Sequence, residues 1–212
     1  MTTRRSYDRV AARYASELSG ELAGKPLDRA LLGVVAELAD GPVLDVGCGP
    51  GHVAAYLADR VPVVGVDLSP QMCAHASVPV CAGDMTALPF RSHSVSALVC
   101  LYAVIHLDVA GRAAAYAEFA RVLRPGGHAL VAFHVRDAET EAGQAKTLTE
   151  WWGNEVDLTF RFLDPGVETQ ALAEAGLTVT ARLDRVPDPR AEHPSDRCYL
   201  LARAAKASGS GS

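Results

Sequence analysis

Three glycines alternate in the stretch Val43-Leu-Asp-Val-Gly-Cys-Gly-Pro-Gly51, directly after an apolar run. Glycine permits a tight backbone path and lets a ligand approach the main chain closely. A helix opening at His52 would turn its free N–H groups back toward that turn. An acidic residue, Asp67, ends the next apolar run, 20 residues after Gly47. A carboxylate there can accept hydrogen bonds from both hydroxyls of a ribose. A GxGxG turn alone is weak evidence, since turns and helix caps use glycine without any ligand. The strand before it and the acid after it give it weight.

Two absences narrow the chemistry. No GxxxxGK[ST] run is present, so a triphosphate-binding loop is unsupported. The glycine spacing also departs from GxGxxG, and Asp45 stands just before it, where it would repel a pyrophosphate. A ligand carrying an amino group and a sulfonium suits that carboxylate better. The seven histidines show no HExxH or paired-ligand spacing, so no metal is expected. The five cysteines have no CxxC pairing and no zinc-ligand spacing. Cys81 and Cys100 lie in apolar runs and are expected to be buried thiols.

The elements that must position these residues follow from periodicity. Helical spacing is expected over Ser6–Leu18 and Pro26–Leu38, with short helices over His52–Asp59 and near Gly166–Ala175 and a longer one over Ala110–Val122. Strands are expected at Val43–Val46, Val61–Val66, Pro79–Ala82, Val95–Leu101, His128–Val135, Leu177–Leu183 and Cys198–Ala202. The strand at Val61–Val66 is apolar almost throughout, as in a parallel sheet covered on both faces. Arg124-Pro-Gly-Gly127 reads as a turn. The alternation predicts an open α/β sheet with helices on both faces. Arg136–Phe162 is the irregular piece: either a lid or binding loop, or an extra helix packing its aromatics on the sheet edge.

With 212 residues the chain fits one domain, expected over 1–207, with an N-terminal helical cap at 1–40 and an acceptor-side insertion at 136–162. Residues 208–212, SGSGS, read as a linker or tag remnant. The net charge of −5, with 20 Lys+Arg, argues against a general nucleic-acid binder. Arg4, Arg5, Arg9 and Arg13 read as a solvated helix face. No signal pattern or membrane-spanning run is seen, and a reducing, cytoplasmic setting is expected.

Five pieces, in this order, carry a family resemblance: Tyr7-Asp-Arg-Val-Ala-Ala-Arg-Tyr14, Val43 to Gly51, Val66-Asp-Leu-Ser-Pro70, Gly83-Asp-Met-Thr-Ala-Leu-Pro-Phe90, and Ala120-Arg-Val-Leu-Arg-Pro-Gly-Gly127. The chain resembles the Rossmann-like class I S-adenosylmethionine-dependent methyltransferases, within them the small-molecule branch related to ubiquinone and menaquinone biosynthesis enzymes. The resemblance implies a seven-stranded, mostly parallel sheet of order 3-2-1-4-5-7-6, its seventh strand antiparallel at Cys198–Ala202. It implies S-adenosylmethionine as cofactor, S-adenosylhomocysteine as product, and no metal. Asp45 with Gly47, Cys48, Gly49 and Gly51 would hold the methionine end, Asp67 the ribose, and Leu68 the adenine. Asp84 would meet the adenine amino group, with Met85 on the ring. Leu101, Tyr102 and Ala103 would form the wall behind the cofactor, Tyr14 would close over it, and Met72 and His106 would complete the pocket. Only Gln71–Ser77 stands where the family has a longer second helix, which would open the adenine side.

Methyl transfer needs alignment, and it needs a base when the acceptor is a hydroxyl or a protonated amine. His106, just past the fourth strand, and His134, near the end of the fifth, are the candidates. Asp108 either orients His106 or caps the next helix. His52 lies either beside the cofactor's carboxylate or on the surface; His75, His93 and His128 read as surface or structural. Tyr7, Trp151, Trp152, Arg161 and Phe162 are the candidate acceptor contacts, with core packing as the rival reading for the last four. The expected function is methyl transfer to O or N of a small metabolite, by a monomer or homodimer without a nucleic-acid or membrane partner. The rivals are a protein or nucleic-acid methyltransferase and a non-catalytic cofactor-binding module.

Overall fold

The computed structural model describes residues 2–206. The expected linker at 208–212 lies outside the described residues. Seven strands form the main sheet: β1 (Val43–Val46), β2 (Val63–Asp67), β3 (Val80–Ala82), β4 (Val95–Leu101), β5 (Leu123–Asp137), β8 (Leu177–Arg185) and β9 (Ser195–Ala204). Their order is β3-β2-β1-β4-β5-β9-β8. Two further strands, β6 (Ala145–Trp151) and β7 (Asn154–Arg161), form a separate hairpin. Counted within the main sheet alone, the order is therefore 3-2-1-4-5-7-6. Strands β1 to β5 pair in parallel, while β9 is antiparallel to both β5 and β8.

The centre of the sheet is covered on both faces, which explains why β4 is apolar except at Ser96. On one face α5 (Val109–Val122) and α6 (Pro165–Glu174) place Tyr116, Phe119 and Leu172 against Leu98, Cys100 and Val131. On the other, α2 (Pro26–Leu38) and α3 (His52–Ala58) place Leu32, Val35 and Leu57 against Ala97, Val99 and Leu130. Truncating a fully buried side chain such as Phe119 to Ala costs about 3–5 kcal/mol. A third apolar cluster joins α1 (Thr3–Leu18), α4 (Pro70–Cys73) and β7 through Val10, Ala11, Met72, Val156 and Leu158.

The sequence expectations shift in four places. The Arg124–Gly127 turn is absorbed into β5, whose pairing with β4 slips between Val95 and Ala97. Strand β2 starts at Val63 and runs on to Asp67. Cys81 is only half-buried, because it sits on the short edge strand β3, whereas Cys100 in the central β4 is fully buried. The irregular stretch Arg136–Phe162 contains no helix; it is largely the β6–β7 hairpin. Trp152 (φ 53°) and Gly153 (φ 78°) form its turn. Two successive left-handed residues match the twist of the flanking strands, as in two-residue hairpins. Val156, Leu158 and Phe160 alternate along β7, and the first two are buried.

Candidate active site

One cavity lies beyond the carboxyl ends of β1, β2 and β4, the usual ligand position in an open α/β sheet. The glycine turn makes its floor. Gly47 (φ 70°) adopts a conformation that favours glycine, and a Cβ there would stand 2.3 Å from the Ala103 Cβ. The Gly49 amide donates to Asp67 Oδ2 at 2.8 Å, and the Ser69 amide donates to Asp67 Oδ1 at 2.8 Å. These bonds fix the Asp67 carboxylate at the tip of β2. Burial raises its pKa and the two amides oppose that rise.

Asp45 is 2% exposed, and its Oδ2 has no partner. Burial pushes its carboxyl up to about 7, against the opposing influence of His52 and the Ala54 amide. A buried oxygen without a donor is costly, and a cationic group arriving in the cavity would relieve it. Asp84, more exposed, accepts from the Thr86 amide and hydroxyl at 2.8 and 2.7 Å. Met72, Met85, Leu68, Leu101 and Tyr102 add apolar lining. Tyr102 has φ 58°, a strained setting for a tyrosine at a strand end.

The cap over the cavity is built by α1 and the hairpin. Tyr7 and Tyr14 from α1 line it, and their rings meet edge to face at 6.2 Å. His106 Nδ1 lies 3.0 Å from the Thr159 carbonyl, which only accepts, so that nitrogen carries the proton. His106 Nε2 is then the acceptor for the Tyr7 hydroxyl, 2.7 Å away. Burial holds the imidazole down to about 4, so it is neutral at neutral pH. Asp108 does not orient His106; it caps α5, accepting from the Gly111 amide at 2.8 Å.

The cavity lining brings together Tyr7, Tyr14, Asp45, Gly47, Cys48, Gly49, Asp67, Leu68, Met72, Asp84, Met85, Leu101, Tyr102 and His106. Six expected residues stand outside it. Gly51 (φ 81°) packs toward Ala76 and serves the turn. His134 is screened by Tyr102, on which it stacks at 4.9 Å, and its Nδ1 is 2.7 Å from the Ser195 hydroxyl. Burial depresses it to about 3. Phe162 is 2% exposed in the core. Trp151 and Trp152 stack on each other at 4.6 Å and pack on Tyr14 from outside. Arg161 donates to the His106 carbonyl at 2.9 Å.

Other lining residues went unassigned in the sequence, among them Thr3, Glu21, Leu22, Asp28, Val53, Gly83 and Leu107. Glu21 and Asp28 look like ordinary surface charges of a helical cap; nothing in their spacing marks them. His52 resolves to the cavity side, its side chain 11% exposed. Among the described residues no cluster of three or more His, Cys, Asp or Glu could hold a metal ion. No described helix is long and apolar enough to cross a membrane.

Residues 43–127 match the methyltransferase-domain family. A ubiquinone/menaquinone biosynthesis C-methyltransferase of Syntrophotalea carbinolica is 34% identical over 145 residues, covering 61% of this chain and 60% of that protein. A malonyl-[acyl-carrier protein] O-methyltransferase of Dechloromonas aromatica is 33% identical over 185 residues, covering 82% and 64%. The chain thus spans less than two thirds of the length of either. A crystal structure of an S-adenosylmethionine-dependent methyltransferase from Methanosarcina mazei has the same fold, with a TM-score of 0.69 at 16% identity, covering 79% of this chain and 93% of that one. The turn at Gly47, the acid ending β2, the sheet order and these likenesses agree: residues 43–127 are a methyltransferase domain, set in the Rossmann-like class I S-adenosylmethionine-dependent methyltransferase fold.

Proposed function

We propose that this chain binds S-adenosylmethionine and moves its methyl group to an oxygen or nitrogen of a small-molecule metabolite. The observation that carries this reading is the unpartnered, buried Oδ2 of Asp45 in a cavity that also presents Asp67 and Asp84. The lining fits such a ligand. Asp45 Oδ2 would take the ammonium of the methionine end, and Asp67, already oriented by two amides, would take the ribose hydroxyls. Asp84 would meet the adenine amino group, with Met85 and Leu68 against the ring. When bound, the cofactor supplies a methyl group already activated on a sulfonium.

The chain's own task is alignment and the handling of one proton. The neutral His106 accepts the Tyr7 hydroxyl on Nε2, and both residues line the cavity. A proton-holding pair at this place is what an O–H or N–H acceptor requires. The cap of α1 and the hairpin over one side of the cavity favours a small acceptor over a polymer. The Trp151–Trp152 stack supports the cap from outside.

Calorimetric titration with S-adenosylmethionine and S-adenosylhomocysteine, alongside Asp67→Ala, tests this. Micromolar binding of both, lost in the variant, is expected; an acceptor screen reading out S-adenosylhomocysteine then follows. A folded, monodisperse sample that binds neither nucleoside overturns the reading.

A further inference from the structure

Behind one wall of the cavity lies a buried polar network that methyl transfer, as described above, leaves unused. Tyr199 of β9 is 1% exposed and Asp28 of α2 is 2% exposed. The Tyr199 hydroxyl donates to Asp28 Oδ1 at 2.6 Å. Arg185, at the end of β8, donates through Nη2 to the Tyr199 oxygen at 2.7 Å and to Asp28 Oδ1 at 3.1 Å. The same guanidinium donates to both carboxylate oxygens of Glu192, each at 2.6 Å. The last member is the Tyr102 hydroxyl, hydrogen-bonded to that of Tyr199. Arginine only donates and an ionised carboxylate only accepts, so the single hydroxyl hydrogen of Tyr199 is committed to Asp28. Tyr102 is therefore the donor in its bond to Tyr199.

Tyr102 is a residue that needs a tether. It follows β4 with φ 58°, a conformation that bulky side chains rarely adopt. Its amide donates to the Ala132 carbonyl at 2.8 Å, which fixes the backbone but not the ring. His134 stacks on the ring at 4.9 Å, and Lys25 Nζ and Arg197 Cζ each lie 5.7 Å from its centroid. Contacts with a ring face permit sliding. Among the described residues the bond to Tyr199 is the one hydrogen bond of this side chain. Tyr102 and Asp28 line the cavity, whereas Tyr199, His134, Arg185 and Arg197 do not. The Tyr102 ring thus stands as a partition between the cavity and the space around His134. We propose that Tyr199, held by Asp28 and Arg185, is the positioning residue for Tyr102, and that the ring so held fixes this wall of the ligand cavity. Without the Tyr199 hydroxyl, the Tyr102 hydroxyl is left without its acceptor, and the ring turns away from His134 to find another. A wall that shifts no longer holds a ligand in the alignment that methyl transfer requires. The effect on ligand binding rests on the cofactor reading above; the placement of the ring does not.

The test uses the full chain and two readouts, with thermal melts to check that each variant folds. The first is proton NMR of the ligand-free protein. The His134 ring protons, identified by their disappearance in His134→Gln, carry an upfield ring-current shift from the stacked Tyr102. Tyr199→Phe is expected to remove that shift. The second is calorimetry with S-adenosylhomocysteine, which Tyr199→Phe is expected to weaken by roughly 5- to 20-fold, the loss of one hydrogen bond. Tyr102→Phe, which lacks the tethered hydroxyl, should lose about as much. The double variant should stay within about twofold of either single one, because all three lack the same bond. A His134 signal that does not move in folded Tyr199→Phe overturns the proposal. So do an unchanged affinity in that variant, and losses that add in the double variant, since Tyr199 would then act by a route other than Tyr102. If Tyr199→Phe does not fold, Tyr102→Phe decides alone, and an unmoved signal with unchanged affinity there overturns it equally. If the unsubstituted protein binds no S-adenosylhomocysteine but Tyr199→Phe still releases the His134 shift, the cofactor reading falls and the positioning of Tyr102 stands.

Discussion

The most telling single residue is Asp45, because its environment is wrong for it until a ligand arrives. Its carboxyl is buried and raised to about 7, with one oxygen unpaired. The sign of the consequence is fixed by linkage. Between the ordinary aspartate range near 4 and about 7, the folded state binds more protons than the unfolded state. Stability of the free protein therefore falls as pH rises through that window, and levels off above it. Asp45→Asn removes the cost of ionisation while keeping an acceptor for the Ala54 amide. It is expected to stabilise the free protein by about 1–3 kcal/mol at pH 8 and by little at pH 4, and to weaken S-adenosylhomocysteine binding. Denaturant unfolding at the two pH values checks it; a gain of equal size at both would mean that ionisation is not the origin. His134 makes the opposite case. It sits behind Tyr102 and bonds Ser195, so His134→Gln is expected to cost stability and leave nucleoside affinity unchanged by calorimetry. Sequence placed it on the rim because it follows Phe133 near a strand end. It could not show that the left-handed Tyr102 would swing its ring between that strand and the cavity.

At the level of elements, the cap is where the sequence was least legible. The three motif-bearing loops of the sheet were readable, because each combines an apolar strand, a turn and an acid at fixed spacing. The hairpin was not, because its turn is Trp152-Gly153 instead of the usual Asn-Gly, and the polar residues of β6 mask the alternation that β7 keeps. Helix α1 is docked by a few specific bonds. The Ser69 hydroxyl donates to Asp8 at 2.6 Å, the Asp157 amide to Ser6 Oγ at 2.8 Å, and Arg9 to the Glu155 carbonyl at 3.0 Å. Trp151 meets both Tyr7 and Tyr14. Thr3, Tyr7 and Tyr14 of α1 line the cavity, so loosening α1 from the hairpin widens access to it. Trp151→Ala removes a half-buried aromatic from that seam, a loss of about 1–2 kcal/mol. Trypsin cleavage within α1, at Arg4, Arg5, Arg9 or Arg13, should then speed up by roughly 5- to 30-fold, since local opening sets its rate. Added S-adenosylhomocysteine should slow it in both proteins. An unchanged cleavage rate in Trp151→Ala would mean that the seam is held elsewhere.

Over the whole molecule, fold and charge act together on the ligand. The parallel sheet brings the tips of β1, β2 and β4 to one edge, and it is this convergence that turns scattered acids into one acidic chamber. That much was legible for Asp45, Asp67 and Asp84, each tied to a strand or motif. Glu21 and Asp28 come from the helical cap, and only its folding over the sheet brings them to the same cavity. The protein as a whole carries a formal charge of −5. A ligand with a sulfonium is attracted both by the chamber and by the surrounding field, whereas its demethylated product carries one positive charge less. The methyl donor should thus lose affinity with added salt more steeply than the product does. At ~0.02 M salt the screening length is about 20 Å, and at ~0.5 M it falls to about 4 Å. Over that range the affinity for S-adenosylmethionine is expected to drop roughly 3- to 10-fold, with S-adenosylhomocysteine changing less than about twofold. Paired titrations at the two salt concentrations decide it. Parallel loss for both ligands would show that the five carboxylates are neutralised by their own neighbours and do not sense the sulfonium. A steeper slope for the donor would mean that the acidic edge helps exchange product for donor, because the molecule holds the spent nucleoside without the charge that drew in the fresh one.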